Sequence, residues 1–178
     1  MRVLIISDTH GKSSCIQQIH DIVGNVDMLI HLGDVEGDEK LIHDLFDCEI
    51  HMVRGNCDYN PELPIYDEFN IGDKRAFITH GHRYSVNSGI SYLEELIDTE
   101  GYDFVMYGHT HRRDLMSYKG SYIVNPGSLA LPRDNRIGTY MLLDFDQHGT
   151  PFFAQNELPK VDTPEEKKRK KFFEDLWG

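Results

Sequence analysis

The first third of the chain alternates between short apolar runs and longer stretches in which apolar side chains recur every three or four positions. The short runs have the length and composition of buried strands and occur at 2–7, 27–32 and 49–55. The segments 13–23 and 38–46 between them carry helical spacing, and Ser13 or Ser14 is available to cap the first helix. The order strand, helix, strand, helix, strand predicts parallel pairing through right-handed crossovers.

Beyond a proline-bearing loop, the pattern changes to strand pairs joined by tight turns. Turn pairs of the kind found in hairpins occur at Gly72-Asp73, near Lys119-Gly120 and near His148-Gly149. A helix that carries Leu93 and Leu96 on one face leads into a further strand at 103–108. The pattern therefore predicts one α/β domain over residues 1–160, parallel in its first half and antiparallel later. A charged, helical tail is expected at 161–178.

The acidic net charge argues against a broad nucleic-acid-binding face. The formal charge is −12 at pH 7, whereas a protein that grips phosphates without sequence preference needs clustered Lys and Arg. The basic run KKRKK, at 167–171, lies among acidic residues in the polar tail and is expected to form a solvated helix face. Nucleic acid is therefore expected as a partner only in the form of strand ends or nucleotides.

Neither the apolar runs nor the cysteines indicate a membrane or an oxidising compartment. No run approaches the ~20 apolar residues needed to span a bilayer, and the first run meets Asp8 at once, as a strand does rather than a signal peptide. Cys15, Cys48 and Cys57 are odd in number and form no Cys-x-x-Cys, which argues against a disulfide framework or a structural zinc finger. We expect a cytoplasmic protein without a membrane partner, and the sequence leaves open whether it forms a homodimer.

Residues that can bind metals stand beside glycine after five of the predicted strands. They are Asp8, His10, Asp34, Asn56, His80, His109 and His111. In an open α/β sheet the carboxyl ends of the strands form the ligand-binding edge, so these turns should converge on one site. Any one of the turns alone is explained equally well by a loop that tolerates histidine. Together they indicate a site for divalent metals, because oxygen and imidazole ligands suit Mn, Fe, Ni or Zn.

The order and spacing of these blocks resemble the signature of the calcineurin-like metallophosphoesterase superfamily. The matching blocks are Asp8-x-His10, Gly33-Asp34, Gly55-Asn56, His80 and Gly108-His109-x-His111. With NPGS at 125–128, they resemble the small single-domain bacterial and archaeal phosphodiesterase branch, from residue 1 to about residue 145. The resemblance implies an α/β fold in which two mixed β-sheets pack as a sandwich flanked by helices, in four layers.

The resemblance also implies a centre of two divalent ions, with Mn as the expected metal and Ni, Fe or Zn as alternatives. The ligands it assigns are Asp8, His10 and His111 for one ion, Asn56, His80 and His109 for the other, and Asp34 as the bridge between them. Residues two apart on a strand point the same way, which would let His109 and His111 face one site together. The implied activity is hydrolysis of small phosphodiesters through attack by a metal-bridging hydroxide.

Further roles are assigned to residues around these ligands. The catalytic candidates are Asp34, Cys57 and Asp58, and the substrate-binding candidates are Asn56, His82 and Arg133. Many members of the superfamily have a histidine where this chain has Cys57, and a thiol with an ordinary pKa of ~8.5 is a poor proton donor at neutral pH. We therefore expect a preference for good leaving groups, with a purely packing Cys57 as the alternative. Arg112 and Arg113 could also contact the second phosphate substituent, with surface salt bridges as their alternative role.

One rival function belongs to another class. A non-catalytic, metal-binding scaffold for protein interaction on the same fold would resemble the retromer subunit, which is regarded as a scaffold with an eroded metal site. All seven ligand positions are intact in this chain, which favours an enzyme. The stretch Gly11-Lys12-Ser13 mimics the end of a phosphate-binding loop, but Ile6 stands where that motif needs glycine.

Overall fold

The computed structural model describes residues 1–134 and 136–159, which form ten strands and three α-helices. The strands are β1 (Arg2–Ile6), β2 (Met28–His31), β3 (Glu49–Met52), β4 (Tyr66–Ile71), β5 (Lys74–Thr79), β6 (Phe104–Met106), β7 (Arg113–Tyr118), β8 (Ser121–Pro126), β9 (Thr139–Phe145) and β10 (Pro151–Glu157). The helices are α1 (Ser13–Val23), α2 (Glu39–Leu45) and α3 (Ser91–Glu100), with a 3-10 turn at His82–Tyr84. None of these helices is long and apolar enough to cross a bilayer. The tail expected at 161–178 lies outside the described residues.

The first sheet contains the strand–helix–strand–helix–strand unit predicted for the start of the chain. Its strand order is β10-β9-β1-β2-β3, and β1, β2 and β3 run parallel. Ile6 lies opposite His31, and His31 lies opposite Met52, so the three strands end at the same level. On the other side, β9 is antiparallel to β1 and β10 is antiparallel to β9. The turns that follow β1, β2 and β3 therefore emerge side by side.

The second sheet corrects the expectation that the later part of the chain is antiparallel. Its strand order is β4-β5-β6-β8-β7, and the three central strands β5, β6 and β8 run parallel. Only the edge strands β4 and β7 pair in antiparallel fashion, through the predicted turns at Gly72-Asp73 and Lys119-Gly120. The reason is that α3 carries the chain back between β5 and β6 as a crossover, and the β7–β8 hairpin then returns β8 beside β6.

Apolar side chains form three clusters that hold the elements in four layers. Ile5, Ile30 and Met106 belong to the core between the two sheets. Ile16 of α1 and Ile42 of α2 belong to a second cluster on the outer face of the first sheet. The third cluster packs α3 against the second sheet. The helix–sheet–sheet–helix sandwich implied by the resemblance is confirmed.

Two local predictions are wrong. The N-cap residue of α1 is Lys12, and no side chain caps the helix; the Ser13 hydroxyl donates instead to Asp38 Oδ1 at 2.6 Å. The parallel strands also end earlier than the apolar runs, and β3 ends at Met52 rather than at residue 55. After each of these strands, the chain leaves the sheet before the apolar run of the sequence ends. The residues left outside the strands form the turns of the candidate site.

Candidate metal centre

The turns after β1, β2, β5 and β6 meet at one edge of the sandwich. Backbone hydrogen bonds join them, because Asp8 N–H donates to Gly33 O at 3.0 Å and Gly108 N–H donates to His80 O at 3.1 Å. The hydroxyl of Ser128, in the NPGS stretch, donates to the Asp8 carbonyl at 2.8 Å. The convergence expected from the strand ends is present, and both sheets contribute to it.

Two glycines allow the turns to approach one another closely. Neither Gly55 nor Gly108 has a positive φ, so a left-handed bend is not what requires glycine at these positions. A Cβ on Gly55 would lie 2.0 Å from Asp34 Oδ1, and one on Gly108 would lie 2.1 Å from Ser7 Oγ. Glycine here serves the contact between turns rather than the tight bend that the sequence suggested.

Five of the seven predicted metal ligands have a left-handed backbone conformation, with φ between 49° and 66°. They are Asp8, His10, Asp34, His109 and His111. Residues other than glycine adopt this region uncommonly, at a cost of roughly 1–3 kcal/mol each. Such conformations persist only where surrounding contacts impose them, and they cluster at functional sites. Their concentration at one edge marks this edge as the candidate site.

The left-handed backbone, and not the alternation of side chains along a strand, sets the directions of His109 and His111. β6 ends at Met106, so neither histidine lies in a strand and the prediction based on alternation is wrong. The two side chains have different surroundings. His111 lies in the carboxylate cluster, whereas His109 Nε2 accepts a hydrogen bond from Asn87 Nδ2 at 2.9 Å. The His109 ring centroid is 5.1 Å from that of His80.

Four side chains form a compact donor cluster, with ligand atoms that all lie within 4.8 Å of one another: Asp8, His10, Asp34 and His111. His111 Nε2 lies 3.1 Å from Asp8 Oδ1 and 3.3 Å from His10 Nε2. Asp34 Oδ2 lies 3.8 Å from His10 Nε2 and 3.4 Å from His80 Nε2. The Asp34 carboxylate is therefore placed between the His10–His111 pair and His80.

Three imidazoles donate their Nδ1 proton to an oxygen outside the cluster. The acceptors are Leu32 O for His80, Leu131 O for His111 and Glu36 Oε1 for His10, each at 2.7 Å. The Nε2 atoms of the same rings then face the carboxylates. Histidines that bind metals are held by this kind of outer hydrogen bond, which fixes the ring and its tautomer.

The buried side chain of Asp8 contains an oxygen without a donor in the described part of the chain. Oδ2 accepts hydrogen bonds from the Ser7 hydroxyl at 2.6 Å and from His109 N–H at 3.2 Å. Oδ1 accepts none from the described residues, although His111 Nε2 is only 3.1 Å away. Leaving a buried carboxylate oxygen unsatisfied is costly, and a bound cation would satisfy it. The carboxylates and imidazoles together fit a divalent metal.

The charged groups of the cluster shift one another's pKa. Burial alone would raise the pKa of Asp34, but His80 and the Cys57 amide hold it well below its usual range. Burial disfavours the charged form of His80, yet Asp34 and Asp8 raise its pKa above the usual value. The Asp8 carboxylate likewise outweighs burial and raises the pKa of His111. A metal must displace protons from these rings, so its affinity falls as the pH falls.

The other two catalytic candidates lie in the turn after β3. Both carboxylate oxygens of Asp58 accept backbone hydrogen bonds, from Gly55 N–H at 2.7 Å and from Asp34 N–H and Glu36 N–H at 2.8 Å. Asp58 thereby joins the turn after β2 to its own. Cys57 N–H donates to Asp34 Oδ1 at 2.8 Å. Burial of the thiol, together with the negative charge of Asp34, raises the pKa of Cys57 to about 12.

The substrate-binding candidates surround the cluster. Asn56 Oδ1 lies 3.1 Å from His80 Nε2. The His82 ring centroid is 5.4 Å from that of His80, and His82 Nδ1 is buried without a hydrogen-bond partner among the described residues. Arg133 is exposed, and its backbone N–H donates to the carbonyl of His111 at 2.9 Å.

Two residues outside the set of sequence candidates support the site: His31, which the sequence left as a structural histidine, and Asn87. His31, at the end of β2, is fully buried; its Nδ1 accepts from Gly33 N–H at 3.2 Å and its Nε2–H donates to Thr9 Oγ1 at 3.0 Å. Burial lowers the pKa of His31 to about 4, so the ring is neutral and joins the first two turns from behind. A histidine as the last residue of a buried strand was the signal for it. Asn87, beside His109, had no such signal.

Comparison with known proteins places this geometry in a family context. Residues 1–148 match the calcineurin-like phosphoesterase superfamily domain. The chain is 31% identical over 149 residues to the probable metallophosphoesterase YsnB of Bacillus subtilis (strain 168), covering 82% of this chain and 85% of YsnB. It is 33% identical over 145 residues to the phosphodiesterase MJ0936 of Methanocaldococcus jannaschii, covering 71% and 83% of the two chains. A solved structure from Streptococcus pneumoniae TIGR4, described as a predicted phosphoesterase, has the same fold, with a TM-score of 0.72 over 88% of this chain and 97% of that one, at 24% identity.

Proposed function

The chain belongs to the calcineurin-like phosphoesterase superfamily, in the branch of its relatives YsnB and MJ0936, and we propose that it is a two-metal phosphodiesterase of small substrates. Membership of this family makes the protein a hydrolase. The finer proposal, a dinuclear centre that cleaves diesters, is supported by the donor cluster and by the name of the relative MJ0936.

The observation that carries the proposal is the arrangement of atoms around Asp34. Its Oδ2 faces Nε2 atoms on two sides, at 3.8 Å from His10 and 3.4 Å from His80. Asp34 Oδ1 is held by the Cys57 amide at 2.8 Å, so the carboxylate cannot turn away from the rings without breaking that bond. A carboxylate fixed between two groups of imidazoles is suited to share two cations.

In this proposal the seven residues divide into two ligand sets. Asp8, His10 and His111 would hold one ion, Asn56, His80 and His109 would hold the other, and Asp34 would be shared between them. When bound, two divalent ions supply Lewis acidity toward the phosphoryl oxygens and a nucleophile derived from water at neutral pH. Because His109 Nε2 accepts from Asn87 Nδ2, Nε2 carries the lone pair and Nδ1 the proton, so an ion would bind His109 at Nε2 in place of the Asn87 amide.

The rest of the site positions these ligands. Asp58 binds the backbone of the turns after β2 and β3, so we assign it a positioning role within the proposed catalytic group. Cys57 is a neutral thiol next to Asn56 and a weak proton donor, which favours substrates whose leaving oxygen departs readily. His82 and Arg133 flank the ligands and are proposed to contact substrate.

The imidazole content of the site bears on the choice of metal. Mg²⁺ favours shells made entirely of oxygen, whereas Mn, Ni, Fe and Zn accept nitrogen ligands. We therefore propose Mn as the working metal, with Ni, Fe or Zn as substitutes. The three free cysteines, Cys15, Cys48 and Cys57, are consistent with the reducing cytoplasm expected from the sequence.

The test is hydrolysis of bis(p-nitrophenyl) phosphate by chelator-treated protein before and after metal is returned. We expect activity to disappear on chelation, to return with Mn or Ni more than with Mg, and to exceed activity on the monoester p-nitrophenyl phosphate. Full activity in protein from which metal has been removed would contradict the proposal. Metal binding without cleavage of any diester in a broad panel would favour the scaffold instead.

A further inference from the structure

A cavity of about 510 Å³ adjoins the metal centre on the side of His109 and His111. Its lining includes the polar residues Asn87, Tyr107, Arg112, Arg113, Asp114 and Arg133. The volume falls within the range of roughly 300–1,000 Å³ that small-molecule sites occupy. Three arginines and one aspartate are among its lining residues.

The cavity is connected directly to the proposed ligands. Asn87 lines it and donates to His109 Nε2 at 2.9 Å, and Thr110 lines it between the two histidines. The backbone N–H of Arg133 donates to the carbonyl of His111 at 2.9 Å. None of the seven proposed ligands lines the cavity itself, so a substituent of a phosphodiester held at the metal centre would have to pass Asn87 or Thr110 to enter it.

The three arginines differ in how their charge is used. Arg113 is paired, with Nε 3.0 Å from Asp134 Oδ2 and Nη1 3.5 Å from Glu157 Oε1. The guanidinium groups of Arg112 and Arg133 are exposed and have no ion pair or hydrogen bond within residues 1–134 and 136–159. Of the surface salt bridges that the sequence left open for Arg112 and Arg113, those of Arg113 are formed, whereas Arg112 forms none with the described residues.

The acidic group in the cavity is already engaged. Asp114 Oδ2 accepts a hydrogen bond from the Tyr107 hydroxyl at 2.9 Å, and burial with Asp114 nearby raises the pKa of Tyr107, which keeps it a neutral donor. The single carboxylate of Asp114 does not balance the two unpaired guanidinium groups of Arg112 and Arg133, whereas the charge of Arg113 is already offset by Asp134. The cavity therefore retains a net positive charge that an anionic ligand would neutralise.

We propose that this cavity binds a second anionic group of the substrate, so that the preferred diesters carry a carboxylate or a phosphate on one alcohol substituent. The proposal rests on the phosphodiesterase function proposed above and narrows its substrate class. Arg112 and Arg133 are the specificity-determining residues, because a guanidinium fork matches the paired oxygens of either anion.

Three symmetric diesters of 2-nitrophenol test the proposal, differing only in the para group: carboxylate, phosphonate or neutral carboxamide. Whichever substituent enters the cavity then carries the group under test, and each reaction releases a coloured nitrophenolate. The measurement is kcat/KM of the Mn-loaded protein for each diester. Each kcat/KM is divided by the rate of alkaline hydrolysis of the same diester, which corrects for the different pKa of the three nitrophenols. We expect the wild type then to prefer the carboxylate or the phosphonate diester over the carboxamide diester, and this preference to shrink with added salt.

Substitutions of Arg112 and Arg133 test whether these two residues cause the preference for anionic diesters. Arg112→Gln and Arg133→Gln should each lower the ratio of anionic to carboxamide kcat/KM about tenfold, the scale of one charge-assisted contact. Arg133→Lys should restore part of the ratio, since it returns the charge without the fork. Arg2→Gln is the matched control, because Arg2 starts β1 and pairs with Asp144 on the surface.

The outcomes separate this inference from the function on which it rests. Cleavage of all three diesters without an anionic preference, or a preference that survives in the double variant, would overturn the inference and leave the phosphodiesterase in place. If the Mn-loaded protein cleaved none of the three diesters and did not cleave bis(p-nitrophenyl) phosphate either, the proposed function itself would be overturned.

Discussion

At the residue scale, the two aspartates and three of the histidines are each anchored through one atom and direct another toward the centre. Asp8 is anchored through Oδ2 and leaves Oδ1 without a donor among the described residues. Asp34 is anchored through Oδ1 by the Cys57 amide and leaves Oδ2 toward His10 and His80. Such anchoring fixes the ligands before a metal binds, so that little ordering remains to oppose its binding.

Asp34→Asn should lower diesterase turnover by orders of magnitude at saturating Mn. The amide keeps the shape of the side chain and can still accept from Cys57 N–H, but it removes the negative charge that two cations would share. The measurement is kcat on bis(p-nitrophenyl) phosphate. His43→Asn, exposed on α2, is the control and should leave turnover nearly unchanged. Equal effects of the two substitutions would refute the assignment of Asp34.

Cys57→His should change the dependence of rate on the leaving group. An imidazole with a pKa near ~6.5 can deliver a proton at neutral pH, and general acid catalysis typically contributes ~10²–10⁴-fold where geometry permits. We expect the gain to be largest for esters with poor leaving groups and small for nitrophenyl esters. kcat/KM of both proteins across esters of graded leaving-group pKa tests this. Parallel lines of equal slope would instead assign Cys57 a packing role.

At the element scale, the site is made by the ends of strands and by the glycines between them. The positions of the ligand turns were predictable, because apolar runs mark where strands end and ligand-type residues stand immediately after them. The left-handed backbone of His109 and His111 was not predictable, since it is imposed by contacts with turns that are distant along the chain. The same is true of Asn87, which reaches His109 only because α3 crosses back over the second sheet.

Gly108→Ala should destabilise the fold by about 1–3 kcal/mol, as overpacking does, because its Cβ would lie 2.1 Å from Ser7 Oγ. The companion substitution Ser7→Ala removes that hydroxyl and should restore part of the loss in the double variant. Rescue should be incomplete, since the Cβ would still lie 3.0 Å from Asp8 Oδ2. Urea unfolding of the four proteins measures the coupling. Strictly additive effects would show that the contact between the turns is not the constraint on residue 108.

At the scale of the whole molecule, the metal centre spans the two halves of the sandwich. Asp8 and Asp34 follow strands of the first sheet, whereas His80, His109 and His111 follow strands of the second. The sandwich itself was predictable only through the family resemblance, because hydrophobic periodicity does not reveal which strands lie side by side. The parallel centre of the second sheet shows this, since local hairpins suggested an antiparallel sheet.

Metal should therefore stabilise the entire fold, and increasingly so at higher pH. Without metal, the protonated rings of His80 and His111 stabilise the fold fully below their ordinary pKa of ~6.5, and this contribution is lost as the pH rises through their raised pKa. Metal binding has the opposite dependence, because the ion displaces the same protons. Each ion at 100 times its own Kd should add about 2.7 kcal/mol. Melting temperatures with and without Mn, between roughly pH 5.5 and 8, test this; a gain that shrank with rising pH would contradict it.

The most direct test of a two-metal diesterase is a count of bound metal made together with turnover. Chelator-stripped protein is titrated with Mn, and bound ions and hydrolysis of bis(p-nitrophenyl) phosphate are measured in the same samples. The two ligand sets on either side of Asp34 predict saturation at two ions per chain, with turnover that rises as the second ion binds. Full turnover at one ion per chain, or in protein that holds no metal, would contradict this account.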